Sequence, residues 1–293
     1  MNASLKTFVD QVPWWGKIAA KVILARLPVD YRTWNHLQLF QLGAMTEPAY
    51  AYSVFRKHFD AVRSRTALKE FVGLELGPGD SLFSAMIARA LGASAYHLVD
   101  VGPYAQADLN RYRAMADFLA DKGLPTFDMN DSTSVDAILA DCRATYGTEG
   151  LTSLRAIPDQ SLDFVWSHAV FQNITRAKFP ETMRELRRVM RADGISSHWI
   201  DLQDCLVGAL NNLRFRESVW ESRLMAQSGF YTNRIRYSEM LELFKEAGFE
   251  TNVISEERWE KLPTPREKLD DQFRHLPEEE LCVQCFHVIL RTR

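Results

Sequence analysis

Cysteine is scarce in this chain, with 4 in 293 residues. That is too few for a fold stapled by disulfides, and it points to a reducing, cytoplasmic setting. Net charge is scarce too. Lys plus Arg is 35 against Asp plus Glu at 38, a formal charge of −3. A protein whose main task is gripping nucleic-acid phosphates would be strongly basic, so no nucleic-acid partner is expected. Long apolar runs are missing, and no stretch approaches the roughly 20 residues that cross a bilayer. Residues 1–10 lack the basic and apolar regions of a secretory signal, so none is expected. Internal repeats and low-complexity tracts are absent as well. What is present is 46% hydrophobic and 25% charged residues, the balance of a globular protein with a sizeable core.

The spacing divides the chain into four stretches. Residues 1–65 read as a helical extension. Within it Trp14 to Leu27 carries Lys17 and Lys21 one turn apart on a narrow polar stripe and is stopped by Pro28. Packing on the rest of the protein is the ordinary use of such a helix, and peripheral membrane contact through Trp14 and Trp15 is the alternative. A second helix is predicted over about Pro48 to Arg63. From residue 66 to 200 short apolar strands alternate with helical patterns, the signal of a parallel α/β sheet. Strands are predicted at Phe71–Leu76, Tyr96–Val99, Leu162–Ser167 and Ile195–Ile200, with helices at Ser81–Leu91, Ala105–Asp121 and Glu181–Met190. A further strand falls somewhere between Asp128 and Leu154. Residues 201–236 break the rhythm with Asn, Arg and aromatics and read as an insertion on the substrate side. Residues 237–293 return to the core pattern, with a helix at Ser238–Ala247 and strands at Phe249–Ile254 and Cys285–Leu290.

One turn carries the chemistry. Glu75-Leu76-Gly77-Pro78-Gly79-Asp80-Ser81 ends a predicted strand and opens a helix. Two residues without Cβ let the backbone pass close to a ligand at the carboxyl edge of the sheet. A dinucleotide fingerprint needs a third glycine three positions on, where this chain has Leu82. The carboxylate of Asp80 would also repel a pyrophosphate at a helix N-terminus. A ligand with a cationic end suits the turn better, which favours S-adenosylmethionine over a nicotinamide dinucleotide. Asp100 ends the next strand 23 residues after Gly77, where a carboxylate can accept from two ribose hydroxyls. Its alternative role is to cap the following helix.

Four pieces in order make residues 70–249 resemble the class I S-adenosylmethionine-dependent methyltransferases. They are Glu75 to Ser81, the strand-end acid within His97 to Gly102, Ile157 to His168, and Glu185 to Gly194 followed by Glu246 to Phe249. The resemblance implies a Rossmann-like, seven-stranded α/β methyltransferase sheet with helices on both faces and the helical N-terminal extension. It implies S-adenosylmethionine as cofactor, with Glu75, Gly77, Gly79 and Asp80 around its methionine part and Asp100 on the ribose. Ser153 stands where many members carry an Asp that meets the adenine amino group, and Leu154 would offer its backbone N–H to the ring. Ser167 and His168 would lie beside the transferring methyl. Asn173 stands where members often have a histidine. Trp34 to Met45, His198 to Asp204 and Asn211 to Phe215 resemble a bacterial branch associated with surface-polysaccharide and glycan modification.

These readings converge on methyl transfer to a small-molecule or glycan acceptor, with a sugar hydroxyl as the expected target. Nitrogen or phenol methylation, a nicotinamide-dependent oxidoreductase or epimerase, and a non-catalytic cofactor-binding partner are the alternatives. A hydroxyl must shed its proton, so a base within hydrogen-bond reach is expected. His198 and His168 both follow strands that end at one rim. Asp201 and Asp204 lie close enough in sequence to pair with His198. No fixed spacing supports a metal site. Cys282 and Cys285 have zinc-like spacing but no second pair, and read as buried thiols. Arg214, Arg216, Arg223, Arg234 and Arg236 lie among Trp220, Phe230 and Tyr231. They serve either to hold an acceptor or as a solvated surface.

Overall fold

Helix α1 (Pro48–Arg63) forms where the sequence predicts it, with Pro at its first turn. Its Ala51, Val54, Phe55, His58, Phe59 and Val62 recur at three- and four-residue intervals and are all buried, so one stripe of the helix faces the core. The chain is described by a computed structural model over residue 16 and residues 44–125, 129, 133–205 and 208–292. Apart from Gly16, the helix expected at Trp14 to Leu27, with Trp14 and Trp15, lies outside the described residues, as do Trp34 to Gly43.

The strands and longer helices that follow are β1 (Phe71–Leu76), α2 (Phe83–Ala90), β2 (Ala93–Val99), α3 (Leu109–Asp121), α4 (Val135–Asp141), β3 (Ala144–Gly147), α5 (Leu151–Arg155), β4 (Leu162–His168), α6 (Phe179–Val189), β5 (Met190–Asp201), α7 (Tyr237–Glu246), β6 (Phe249–Arg258) and β7 (Val283–Thr292), with single helical turns between them. Seven strands join in one sheet of order β3-β2-β1-β4-β5-β7-β6. β1 to β5 run parallel, and β7 runs antiparallel between β5 and β6. The alternating pattern predicts the parallel α/β sheet, and the Rossmann-like, seven-stranded form with helices on both faces is the one the family resemblance implies. The strand left open between residues 128 and 154 is β3. Its pattern is weak because it is four residues long at the sheet edge and only partly buried. Helix α2 starts two residues later than its apolar spacing suggests, because Ser81 Oγ accepts from the Phe83 N–H at 3.2 Å and ends the turn there.

Side chains alternate across the pleat and give the sheet two cores. On one face α1 and α2 cover Phe71, Tyr96, Phe164, Trp166, Ile195 and Ile289. On the other, α6 and α7 cover Leu74, Val165, Ile200, Phe286 and Val288. The parallel strands all end at one edge, where the β1–α2, β2–α3, β4–α6 and β5–α7 connections meet.

The insertion builds a small core of its own from Trp220, Met225, Phe230 and Tyr231. Two of its arginines are neither solvated nor open to an acceptor. Arg236 is buried and donates to the carbonyls of Leu202, Glu280, Leu281 and Val283 at 2.8–3.2 Å. Arg234, also buried, donates to the Phe215 carbonyl at 2.7 Å. The Trp220 indole donates to the Thr232 carbonyl at 2.6 Å. The aromatics and these two guanidinium groups hold the insertion together, so Arg234 and Arg236 take neither of the two roles the sequence left open, an acceptor contact or a solvated surface. All four cysteines are free, and Cys282 and Cys285 are buried.

Candidate active site

The β1–α2 turn departs from strand geometry at both glycines, with φ of +72° at Gly77 and +65° at Gly79. An L side chain is strained there. At Gly77 a Cβ would also lie 2.5 Å from Val170 Cγ2 on the β4–α6 connection. The Gly77 N–H donates to the Val99 carbonyl at 2.8 Å, so the turn leaves β1 still tied to β2.

Asp100 is buried at the end of β2. One of its oxygens accepts from the Gly79 N–H at 2.9 Å and the other from the Val101 N–H at 2.7 Å. It therefore fastens the glycine turn rather than capping α3, whose cap is Asp108. Each carboxylate oxygen has a second lone pair, so two further donors fit there. Burial is the main cause of the upward shift of the Asp100 pKa; its two backbone hydrogen bonds oppose it and Asp80 adds to it.

Glu75 is buried beneath the turn and accepts a hydrogen bond from Ser84 Oγ. Burial pushes its pKa up to about 8, with the Ser84 bond opposing and the Asp100 charge adding. Asp80 is buried in the same turn, and its carbonyl accepts from the Gln106 N–H at 2.9 Å. Glu75, Gly77, Gly79, Asp80 and Asp100 thus come together. A tight turn without side chains at its two left-handed positions, lined by buried carboxyl groups, suits a cationic nucleoside, and these residues fit S-adenosylmethionine.

The adenine contacts expected farther along are different. Ser153 Oγ, on α5, accepts from the N–H of Glu149 in the β3–α5 connection at 3.0 Å. The Leu154 N–H donates to the Gly150 carbonyl at 3.0 Å. Leu154 is inside α5, so its N–H is spent within the helix and is not available to a ring. That expectation is corrected. The sequence gives little sign of a five-residue helix there.

The two strand-end histidines separate. In the β4–β5 register Ser167 lies opposite His198, and His168 opposite Trp199. His168 is partly buried on the α1 face, its ring parallel to Trp199 with an interplanar angle of 13° and centroids 6.0 Å apart. Burial, with the Lys57 ammonium second, pushes its pKa down to about 4. Its Nδ1 is hydrogen-bonded to His58 Nε2 at 3.2 Å. His198 is on the opposite face, fully buried and stacked on Phe171 at 4.2 Å. Its Nδ1 bonds Ser167 Oγ at 2.7 Å and its Nε2 has no partner among the described residues. Burial, with His287 second, lowers its pKa well below the ordinary value.

The expected pairing of His198 with an acid does not occur. The Asp201 side chain accepts from the Gln203 N–H at 2.9 Å, and Asp204 accepts from the Asn211 N–H and side-chain amide at 2.9 Å. His198 is sealed from the rim, so it cannot serve as the base. Ser167 is fully buried beside it and cannot face the methyl. Asp201 ends β5 at the rim, partly exposed, with its pKa raised chiefly by burial. The residue that sequence reasoning missed is His58, which reaches His168 from α1. A polar residue in an otherwise apolar stripe is the one signal that could have found it. Among the described residues no group of three or more His, Cys, Asp or Glu is placed to hold a metal ion, and no helix is long and apolar enough to cross a membrane.

Residues 74–197 match the family model of the methyltransferase domain. The match runs from β1 into β5, taking in the glycine turn, Asp100 and His168. No curated protein matches the chain. Among solved structures, the chain is similar to the YcgJ protein of Bacillus subtilis at 15% identity, covering 80% of this chain and 97% of that one, with a TM-score of 0.44. It is also similar to CrArsM, an arsenic(III) S-adenosylmethionine methyltransferase of Chlamydomonas reinhardtii, at 16% identity, covering 76% and 63% with a TM-score of 0.42. Neither likeness bears on the acceptor.

Proposed function

We infer, from the premise that this enzyme carries its methyltransferase domain over residues 74–197, that S-adenosylmethionine is its methyl donor and a sugar hydroxyl its acceptor. One observation carries the reading. The left-handed glycine turn with its buried acids and the partly open His168 end neighbouring strands at one edge of the sheet. Bound there, S-adenosylmethionine supplies a methyl group made electrophilic by a positive sulfur. Gly77 and Gly79 give the backbone its close approach. Asp100 has lone pairs to spare for two ribose hydroxyls, Asp80 lies in the same turn, and the Glu75 carboxyl, held protonated by burial, would ionise more readily beside a cationic ligand. Most of the rate in such a reaction comes from alignment of the two reactants.

His168 supports a hydroxyl acceptor. A pKa of about 4 keeps the ring neutral at pH 7 with one bare nitrogen, and the same burial makes it a weaker base than an ordinary imidazole. Its Nε2 has no hydrogen bond to a described residue. The sugar in this reading rests on the resemblance of His198 to Asp204 and Asn211 to Phe215 to the glycan-modifying branch. Calorimetric titration with S-adenosylhomocysteine tests the cofactor, and binding is expected. Mass spectrometry of glycans from cells with and without the protein tests the acceptor. A methyl mark that depends on the protein is expected, and its absence from every sugar would remove the acceptor reading.

A further inference from the structure

Methyl transfer as read above uses His168 and leaves three buried polar side chains on the α1 face without a task. They come from three elements: His58 on α1, Ser197 on β5 and His287 on β7. All are buried, and the first and last lie outside the matched domain of residues 74–197. Their hydrogen bonds make one unbranched chain that starts at the rim. His168 Nδ1 meets His58 Nε2 at 3.2 Å, His58 Nδ1 meets Ser197 Oγ at 2.8 Å, and Ser197 Oγ meets His287 Nε2 at 2.7 Å. Trp166 flanks His58 at 5.0 Å between ring centroids, and Trp199 lies along His168.

Burial disfavours an imidazolium in all three rings. Each ring is therefore neutral, with one N–H and one bare nitrogen. Every contact in the chain needs one hydrogen, so the tautomers of His168 and His58 fix each other. Three settings satisfy all three contacts, because the Ser197 oxygen can donate to either ring or accept from both; the last shares the His168 tautomer of the inward setting. In the inward setting His168 Nδ1–H donates to His58, His58 Nδ1–H donates to Ser197, and the Ser197 hydroxyl donates to His287. Nε2 of His168 is then bare. In the outward setting every hydrogen is reversed and Nε2 of His168 carries its own.

We propose that His58, Ser197 and His287 are positioning residues that hold His168 in the inward setting, with its bare Nε2 turned into the base of the reaction. The proposal rests on the reading of a hydroxyl acceptor. The inward tautomer of His168 leaves a lone pair for the hydroxyl proton; the outward one presents a donor where a base is needed. The balance is simple. The hydroxyl proton passes to Nε2, the freed oxygen pair forms the bond to the methyl carbon, and the carbon–sulfur pair returns to sulfur. The His168 imidazolium so formed keeps its Nδ1–H on His58, which stabilises the charge as it develops, as a carbonyl or carboxylate does behind other catalytic or metal-bound histidines. A helix that the domain match does not include thus completes the site from behind.

Histidine-selective ¹⁵N NMR of the full chain with S-adenosylhomocysteine tests this, the His168 signals being identified by their loss in His168→Gln. In the wild type His168 is expected to show a single neutral tautomer protonated on Nδ1. Ser197→Ala cuts the chain and is expected to give His168 a measurable share of the Nε2–H tautomer. His58→Gln puts an amide oxygen where the accepting ring nitrogen was, and is expected to keep the Nδ1–H tautomer. An Nε2 proton on His168 in the wild type, or a Ser197→Ala spectrum with His168 unchanged, overturns the proposal. The wild-type spectrum decides alone if a variant fails to fold. Failure of the wild type to bind S-adenosylhomocysteine by calorimetry would instead undo the cofactor reading, while the tautomer would still be legible in the free protein.

Discussion

The ends of β4 and β5 carry one histidine each, and the two have opposite fates. His168 lies on the α1 face with an open edge, and His198 is sealed on the α6 face under Phe171. The difference is a single step of the pleat. Paired residues of neighbouring parallel strands share a face, and the register sets Ser167, not His168, opposite His198. Two histidines that look equivalent in sequence are therefore a rim residue and a core residue.

The largest effect should separate them. His168→Gln is expected to slow methyl transfer about 10²-fold or more, the range for loss of a general base, with S-adenosylhomocysteine affinity unchanged. His198→Gln is expected to leave turnover within a few-fold but to destabilise the fold. It loses the stack on Phe171 and disturbs the bond to Ser167, together about 1–3 kcal/mol. Chemical denaturation and steady-state rates on the two variants check the pair. If His198→Gln lost turnover while staying as stable as the wild type, the assignment of the faces would be wrong.

A second contrast sets the cofactor side against the acceptor side. The cofactor side was legible because backbone demands write themselves into residue type. Two glycines after a strand, an acid at the end of the next strand and Leu82 in place of a third glycine survive without knowledge of register. β1 and α1 also form with the bounds their apolar spacing predicts. The acceptor side was not legible, because it depends on which residues of distant elements meet. Nothing local to His58, Ser197 or His287 links them across 139 and 90 positions of sequence. Leu154 failed for a related reason. A helix as short as α5 is decided by its surroundings rather than by propensity.

Gly77→Ala sharpens this contrast on the cofactor side. Its φ of +72° and the Val170 methyl 2.5 Å from the added Cβ leave no relaxed placement. A loss of about 1–3 kcal/mol in stability and at least tenfold weaker binding of S-adenosylhomocysteine are expected, read by thermal melting and calorimetry. Unchanged binding would mean that the turn has no ligand to approach.

Glu75 offers a subtler test. Its folded pKa of about 8 lies above the ordinary 4.5, so the folded state holds the proton more tightly. Its contribution to stability is fully present below pH 4.5 and is lost as the pH rises through about 8. The cofactor-free wild type should therefore lose stability across that window, and Glu75→Gln should lose less of it. Equal slopes for the two proteins would place the carboxylate in a wetter setting than the one described.

The smallest effect concerns the acid limb of the rate. Burial first and then the neighbouring Lys57 ammonium hold His168 near pKa 4. The neutral rings of His58 and Trp199 face it from α1 and β5. Turnover should therefore persist to well below the ordinary histidine value of 6.5. A rate already halved at pH 6.5 would show that His168 is more exposed, or not the base.

The central claim is that the glycine turn and Asp100 together hold an adenosine with a cationic sulfur, and a calorimetric titration of S-adenosylmethionine into the wild type and Asp100→Asn tests it most directly. The account predicts saturable one-to-one binding to the wild type and at least tenfold weaker binding to the variant, since hydrogen bonds to a charged acceptor contribute about 1.5–3 kcal/mol. Wild-type protein that is folded and takes up no ligand, or a variant that binds as tightly as the wild type, would contradict it.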